Sequence, residues 1–338
     1  MTYLLNKKNS QAQFLLIIIS LLIVGGSMAI AQSSFINLKT IIAHRGASGY
    51  LPEHSLEAIA MAHAMNPDYI EPDVILTKDS QAIVLHDIHL DTTTNVAEIF
   101  PDRKRNDGRY YAIDFSLAEI KTLSVHERID IRTGKRVFPD RFPIIGSEFK
   151  IPTLKEEIEL IQGLNKSRNM DIGIYPEIKD PEFHNNEGKD ISKIVLDILA
   201  DYGYKNKEDK AFLQCFDLNE LKRIRLELGT RLELIYLLNS RGVSSLNNAS
   251  DAELKDLSEV VDGLGVSING LLKNQNKSKE SLAKLHELGV VVHGWTVRKD
   301  SLPSGFKDIE SLLIKLDELG VDGVFTDFPD LVVKLLNR

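Results

Sequence analysis

The chain has one cysteine in 338 residues, Cys215, one tryptophan, Trp295, and an aromatic content of only 7%. A single cysteine excludes an intramolecular disulfide and a cysteine-based structural zinc site, so stability has to come from a packed apolar core. An excess of positive charge is missing too. The 41 lysines and arginines face 49 aspartates and glutamates, for a net charge of -8. That excludes a general nucleic-acid binder, which needs a cationic surface, but leaves room for one small phosphorylated ligand. Internal repeats and low-complexity segments are absent as well. What is there, 43% hydrophobic and 27% charged residues, is the composition of a soluble globular protein and not of a disordered or collagen-like chain.

One long apolar run exists, and it lies at the N-terminus. Residues 1–13 are polar and carry Lys7 and Lys8, Phe14 to Val24 are almost unbroken apolar, and Ala29, Ile30 and Ala31 put small residues at the two positions a signal peptidase reads. Gly25, Gly26 and Ser27 break the run where a cleavage region needs extended chain. Residues 1–31 therefore read as a secretory signal peptide, with 32–338 as the mature domain, exported to the periplasm or beyond and keeping no stable membrane insertion. The competing reading is an uncleaved anchor, because Phe14 to Ile30 is close to the shortest stretch that spans a bilayer. With no cysteine near residue 31, a lipoprotein is not expected.

The mature chain alternates short β-branched runs with amphipathic stretches. Strands are expected at 40–44, 69–76, 82–86, 172–178, 212–216, 232–238, 262–267, 290–297 and 323–326, many of them solidly apolar as strands buried on both faces should be. Helical patterns lie between most of them, at 55–65, 153–164, 190–202, 217–228, 279–288 and 308–319. This alternation, in a chain of this length, favours a distorted (β/α)8 TIM barrel over an open doubly wound sheet. The ninth strand is surplus to a barrel. A two-residue turn at Lys78-Asp79 would fold 71–77 and 80–86 into a hairpin, with Glu71 facing His86 and Asp73 facing Val84. Residues 88–152 break the alternation, and they read as an inserted subdomain between the third and fourth strands, a rim over the mouth where barrel chemistry is done.

Charged residues at strand ends carry the functional signal. The first strand runs into His44, Arg45 and the Gly46 turn; the second carries Glu71 and Asp73, two apart and so on one face; the third ends in His86-Asp87 and the fourth in Glu177-Ile178-Lys179. Each alone has a bland structural reading. Barrel geometry, however, brings strand ends to one site, and burying His44, Arg45, Glu71, Asp73, His86, Glu177 and Lys179 together without purpose would cost several kcal/mol per ion. Three carboxylates without cysteine suit Ca²⁺ or Mg²⁺. With two imidazoles to take up and supply a proton, and two cations for an anion, phosphodiester cleavage fits the inventory.

HRGASGYLPEHS, EPDVILTKDSQAIVLHD, YPEIK, LQCFD, VVVHGWTVR and GVFTDFPD together resemble the glycerophosphodiester phosphodiesterase family, in order and spacing, from about residue 40 to 338. The segment FPDRKRNDGRYYAIDFSLAEIKTLS further resembles the insertion of its periplasmic, broad-specificity branch. The resemblance implies Glu71, Asp73 and Glu177 as ligands of a divalent cation, Ca²⁺ with Mg²⁺ as the alternative, and His44 and His86 as the acid-base pair. It also implies Arg45 and Lys179 at the phosphate. Trp295 stands where the family carries an aromatic near the glycerol, and Phe216 is a candidate apolar wall; Cys215 beside it should be core. His54, where asparagine is common, is at most a supporting residue. The expected reaction is metal-dependent hydrolysis of small glycerophosphodiesters, such as glycerophosphocholine and glycerophosphoethanolamine, to sn-glycerol 3-phosphate by way of a cyclic glycerol phosphate. Two rivals are a phosphodiesterase of the same barrel acting on lysophospholipid or sphingomyelin, and a non-catalytic binder of phosphate esters. The first would need an apolar lip, and the second would be expected to have lost a histidine.

Overall fold

The computed structural model describes residues 36–142 and 148–338. The N-terminal apolar run, and the expected signal peptide with it, lies outside the described residues. The strands in chain order are β1 (Thr40–His44), β2 (Tyr69–Glu71), β3 (Asp73–Leu76), β4 (Ala82–Val84), β5 (Ile129–Asp130), β6 (Lys135–Arg136), β7 (Gly173–Ile174), β8 (Glu177–Ile178), β9 (Phe212–Cys215), β10 (Glu233–Leu238), β11 (Gly263–Ser267), β12 (Val291–Val297) and β13 (Gly323–Thr326). Prolines that lack an N–H interrupt two longer strands, Pro72 between β2 and β3 and Pro176 between β7 and β8. The ladder nevertheless runs on past them. Tyr175 N–H donates to Ile70 O (2.9 Å), Glu177 N–H to Pro72 O (2.8 Å) and Lys179 N–H to Val74 O (3.2 Å).

Counted this way, eight parallel strands close into a ring. β1 pairs with β2, β2 with β7, β3 with β8, β8 with β9, and β9 to β13 follow one another until β13 returns to β1. This is the expected (β/α)8 barrel. Ile42, Tyr175, Phe212, Ile235 and Phe325 form a layer inside it, while alternate residues such as Ile41, Ala43, Leu213 and Leu234 pack outward against the helices. Several helices begin where the sequence offers a cap: Ser55, Thr153, Asp190, Asp217 and Asp308 each accept a backbone N–H of the first turn.

The surplus strand β4 is a hairpin arm on β3, outside the ring, but in a different register from the expected one. Val74 faces Val84 and Ile75 faces Ile83. The loop has three residues, Lys78, Asp79 and Ser80, not two; Ser80 takes the left-handed conformation (φ 59°) that such loops need, and Thr77 N–H closes on Gln81 O (3.0 Å). Asp73 is therefore opposite Leu85, whose N–H it accepts (2.9 Å), and His86 does not face Glu71. Because β4 is no barrel strand, the insertion lies between the second and third strands of the ring.

The described part of 88–152 has its own apolar cluster. Leu90, Val96, Tyr110, Phe115, Ile120, Leu123 and Val125 pack on Ile75, Ile83 and Leu85 of the hairpin. The short helix Leu117–Ile120 is fixed by a capping box between Ser116 and Glu119, and β5 and β6 form a small hairpin.

Candidate functional site

Register alone brings the strand-end charges together. His44 on β1 is paired with Glu71 on β2, while Asp73, Glu177 and Gln214 lie in a row across β3, β8 and β9. Glu71, Asp73 and Glu177 are buried, and each offers a carboxylate oxygen within 4.8 Å of the others. The turn after β1 folds tightly over this group. Gly46 sits at φ 79°, and a Cβ there would lie 2.9 Å from the backbone of Ala58. Arg45 and His54 also adopt positive φ, 58° and 64°, a conformation unusual for residues with side chains and one that collects at functional sites.

An inner cavity of about 110 Å³ is lined by His44, Arg45, Glu71, His86, Glu177, Gln214, Phe216 and Trp295. It shares His86, Glu177, Phe216 and Trp295 with an outer cleft of about 1450 Å³, to which Lys179 and the inserted residues His89, Thr92 and Arg109 contribute. Thus the insertion does form a rim. Phe216 is exposed and meets Trp295 edge-on, ring centres 5.8 Å apart. Cys215 is buried, its thiol pushed up to about 12 by burial.

The electrostatics are those of a buried acidic cluster. Burial and the neighbouring Asp73 charge push Glu71 well above the usual carboxylate range, and burial with Asp73 raises Glu177 to about 8 against the pull of Lys179. Asp73 goes the other way. Burial opposes its ionisation, but Lys179, His86 and Arg45 hold it well below the usual range. Its contacts are Lys179 Nζ (3.4 Å), Arg45 Nε (3.3 Å) and His54 Nε2 (2.9 Å), so His54 does support the site. Lys179 also donates to Glu177 (2.6 Å), and Arg45 to Glu53 (3.0 Å). Gln214 donates to Glu71 (3.2 Å), while its own side-chain oxygen, buried, has no partner. Three buried hard oxygen donors in mutual repulsion, with an orphaned amide oxygen beside them, suit a divalent cation.

Each histidine of the cavity rests on a carboxylate. His44 Nδ1 is 2.7 Å from Asp327 Oδ1, and His86 Nδ1 is 2.5 Å from Asp87 Oδ1. Both carboxylates are held ionised despite burial, Asp327 by Arg298, His44 and Arg141, and Asp87 by its bond from His86 and by Arg128. An ionised acceptor takes the Nδ1 proton, which leaves Nε2 of each ring for the cavity both line. Burial, with Arg45 for both and Lys179 for His86, lowers His44 to about 4 and His86 to about 3, so each ring is neutral near pH 7.

The structure brings His44, Arg45, Glu71, Asp73, His86, Glu177, Lys179, Phe216 and Trp295 to one barrel mouth. Asp327, Glu53, Gln214 and Arg298 are further members. They stood inside the quoted motifs GVFTDFPD, LPEHS, LQCFD and VVVHGWTVR, and Asp327 carries the same signal as the others, a charge just past a strand end. Arg128 and Arg141 reach the site from the insertion, where nothing in the local sequence marked them.

The chain matches the model of the glycerophosphoryl diester phosphodiesterase family over residues 44–331. It is 43% identical over 332 residues to a glycerophosphodiester phosphodiesterase of Haemophilus influenzae, covering 88% of this chain and 90% of that one. With one from Treponema pallidum it shares 34% over 343 residues, covering 93% and 96%. Among solved structures, a putative glycerophosphoryl diester phosphodiesterase from Silicibacter pomeroyi superposes with TM-score 0.67 at 22% identity, covering 89% of this chain and 94% of that one. An Oleispira antarctica phosphodiesterase, solved in complex with the product sn-glycerol-3-phosphate, gives TM-score 0.63 at 22% identity, covering 89% and 98%.

Proposed function

The chain belongs to the glycerophosphoryl diester phosphodiesterase family, and from that premise we propose that it hydrolyses small deacylated glycerophosphodiesters, glycerophosphocholine and glycerophosphoethanolamine among them, to sn-glycerol 3-phosphate and an alcohol. The observation that carries the reading is the meeting of three carboxylates and two histidines at one barrel mouth. The product bound in the Oleispira antarctica relative supports glycerol 3-phosphate as the product here.

Glu71, Asp73 and Glu177 would hold the divalent cation, Ca²⁺ by preference. Once bound, it would neutralise the carboxylates and polarise phosphate and hydroxyl oxygens. Arg45 and Lys179 stand beside these carboxylates as cations for the phosphate charge. Phe216 and Trp295 form the apolar wall. The glycerol hydroxyl next to the ester attacks phosphorus from within the substrate, an entropic gain over capturing a water molecule. One of His44 and His86 accepts that proton through Nε2 while the other protonates the departing alcohol. Entry of the anionic phosphodiester beside both rings favours the protonated form that the donor needs. Water then opens the cyclic glycerol phosphate with the two roles exchanged. Export by a signal peptide ending at Ala31, and a place in the periplasmic branch, complete the proposal.

The test is leaving-group chemistry. His44→Ala and His86→Ala should each lower kcat on glycerophosphocholine by about 10² to 10⁴-fold. On glycerol phospho-p-nitrophenol, whose leaving group needs little protonation, the variant lacking the first-step donor should recover most of the rate of p-nitrophenol release in the first turnover, and the other should not. Near wild-type kcat in both variants, or loss of Ca²⁺ binding in both, would contradict the mechanism.

A further inference from the structure

The inserted segment touches the barrel mouth with two arginines, and each ends on a carboxylate that holds a histidine. Arg128 Nη1 donates to Asp87 Oδ2 (2.6 Å), the carboxylate under His86; the rest of its fork grips Glu53 (Nη2, 2.6 Å; Nε, 3.1 Å), which in turn takes Arg45. Arg141 Nη2 donates to Asp327 Oδ2 (2.7 Å), the carboxylate under His44. Its other donors go to Asp300 (Nε, 2.8 Å; Nη2, 3.1 Å) and to Ser48 O (Nη1, 3.2 Å), and the Phe138 ring lies 3.6 Å from its guanidinium carbon. The side chains are 15% and 5% exposed. Both arginines and both histidines line one recess of about 220 Å³ on the insertion side.

We infer that Arg128 and Arg141 are positioning residues, through which the insertion sets the orientation and tautomer of both histidines. The inference rests on the reading of His44 and His86 as the acid-base pair. Burying a guanidinium is costly unless its fork is filled, and both forks are filled by groups that already belong to the catalytic surroundings. A carboxylate clamped on its far oxygen neither swings nor takes a proton. It therefore keeps the imidazole Nδ1–H donating to it and Nε2 turned to the cavity, the service an orienting carboxylate performs for a catalytic histidine. Asp327 has Arg298 of the barrel as a second clamp (2.7 Å). Asp87 has Thr92, another inserted residue (2.6 Å). Removing Arg128 should therefore cost at least as much as removing Arg141.

Arg128→Ala and Arg141→Ala are assayed on glycerophosphocholine with Ca²⁺, alone and combined with His86→Ala and His44→Ala. Each single arginine variant should lose about 10- to 100-fold in kcat with KM changed less than about threefold, and guanidinium ion in solution should restore part of the rate. Most of the loss from Arg128→Ala should disappear once His86 is alanine, and most of that from Arg141→Ala once His44 is alanine, because the histidine each one positions is already gone. Arg128→Lys and Arg141→Lys keep charge without the fork and should fall between wild type and alanine, which covers the case of an alanine variant that does not fold. Wild-type kcat in the arginine variants would overturn the inference. So would an undiminished loss in the histidine-free backgrounds, since the arginines would then only fasten the fold. Wild-type kcat in the single histidine variants would instead overturn the acid-base reading itself, and those variants tell the two failures apart.

Discussion

Glu157 lies in the first part of the helix Leu154–Arg168, fully buried, with neither carboxylate oxygen bonded. Burial, with a contribution from the charge on Asp73, raises its carboxyl from the ordinary 4.5 to about 8. Between those two values the unfolded chain releases a proton that the folded chain keeps, so Glu157 makes stability fall as pH rises from about 4.5 to 8. Glu157→Gln removes that penalty. The stability of the variant relative to wild type, read from urea midpoints, should be greater at pH 8 than at pH 5; an equal difference at both would mean that Glu157 is ionised when folded. At this scale the sequence was legible wherever a charge ended an apolar run, as at His44, Glu71 and Glu177, because several such charges brought to one barrel mouth have no bland reading together. Arg128 and Arg141 were not legible. In a turn-rich insertion an arginine reads as solvated, and only the fold brings Asp87 and Asp327 to it.

The β3–β4 hairpin shows where local rules fell short for an element. Apolar alternation located both arms, but the side-chain period of two makes register depend on loop length, and a Lys78-Asp79 turn and a three-residue loop differ by one position. The signal for the longer loop was weak, since Ser80 has no glycine's ease at positive φ. Ser80→Val should cost about 1–2 kcal/mol in a denaturant titration, because a β-branched residue is poorly tolerated there, while Ser80→Gly should change stability by less than about 0.5 kcal/mol. A neutral Ser80→Val would contradict the three-residue loop. The long, well-capped helices were readable from their period. Ser240–Leu246, Ile268–Lys273 and Pro329–Leu335 were not, as helices this short show barely two turns of pattern and owe their form to packing on the barrel.

For the whole molecule the barrel followed from strand count once the hairpin arm was set aside, since a (β/α)8 barrel has eight parallel strands and the described residues supply eight. The insertion was legible as an interruption but not as part of the active-site support, because Arg128 and Arg141 meet Asp87, Glu53 and Asp327 across long separations in the chain. Among the described residues no helix is long and apolar enough to cross a membrane. If residues 1–31 are a cleaved signal, N-terminal sequencing of exported protein should begin at Gln32 or within a few residues of it, and intact Met1 in a membrane pellet would show an anchor. The cation is central to the proposed chemistry. Release of sn-glycerol 3-phosphate from glycerophosphocholine is to be measured on enzyme chelated until elemental analysis finds no metal, then after adding back Ca²⁺, Mg²⁺ or Zn²⁺. Activity should vanish on chelation and return best with Ca²⁺ in the wild type, and Glu71→Ala should need far more Ca²⁺ or not recover. Full activity in verified metal-free enzyme would contradict the site built from Glu71, Asp73 and Glu177.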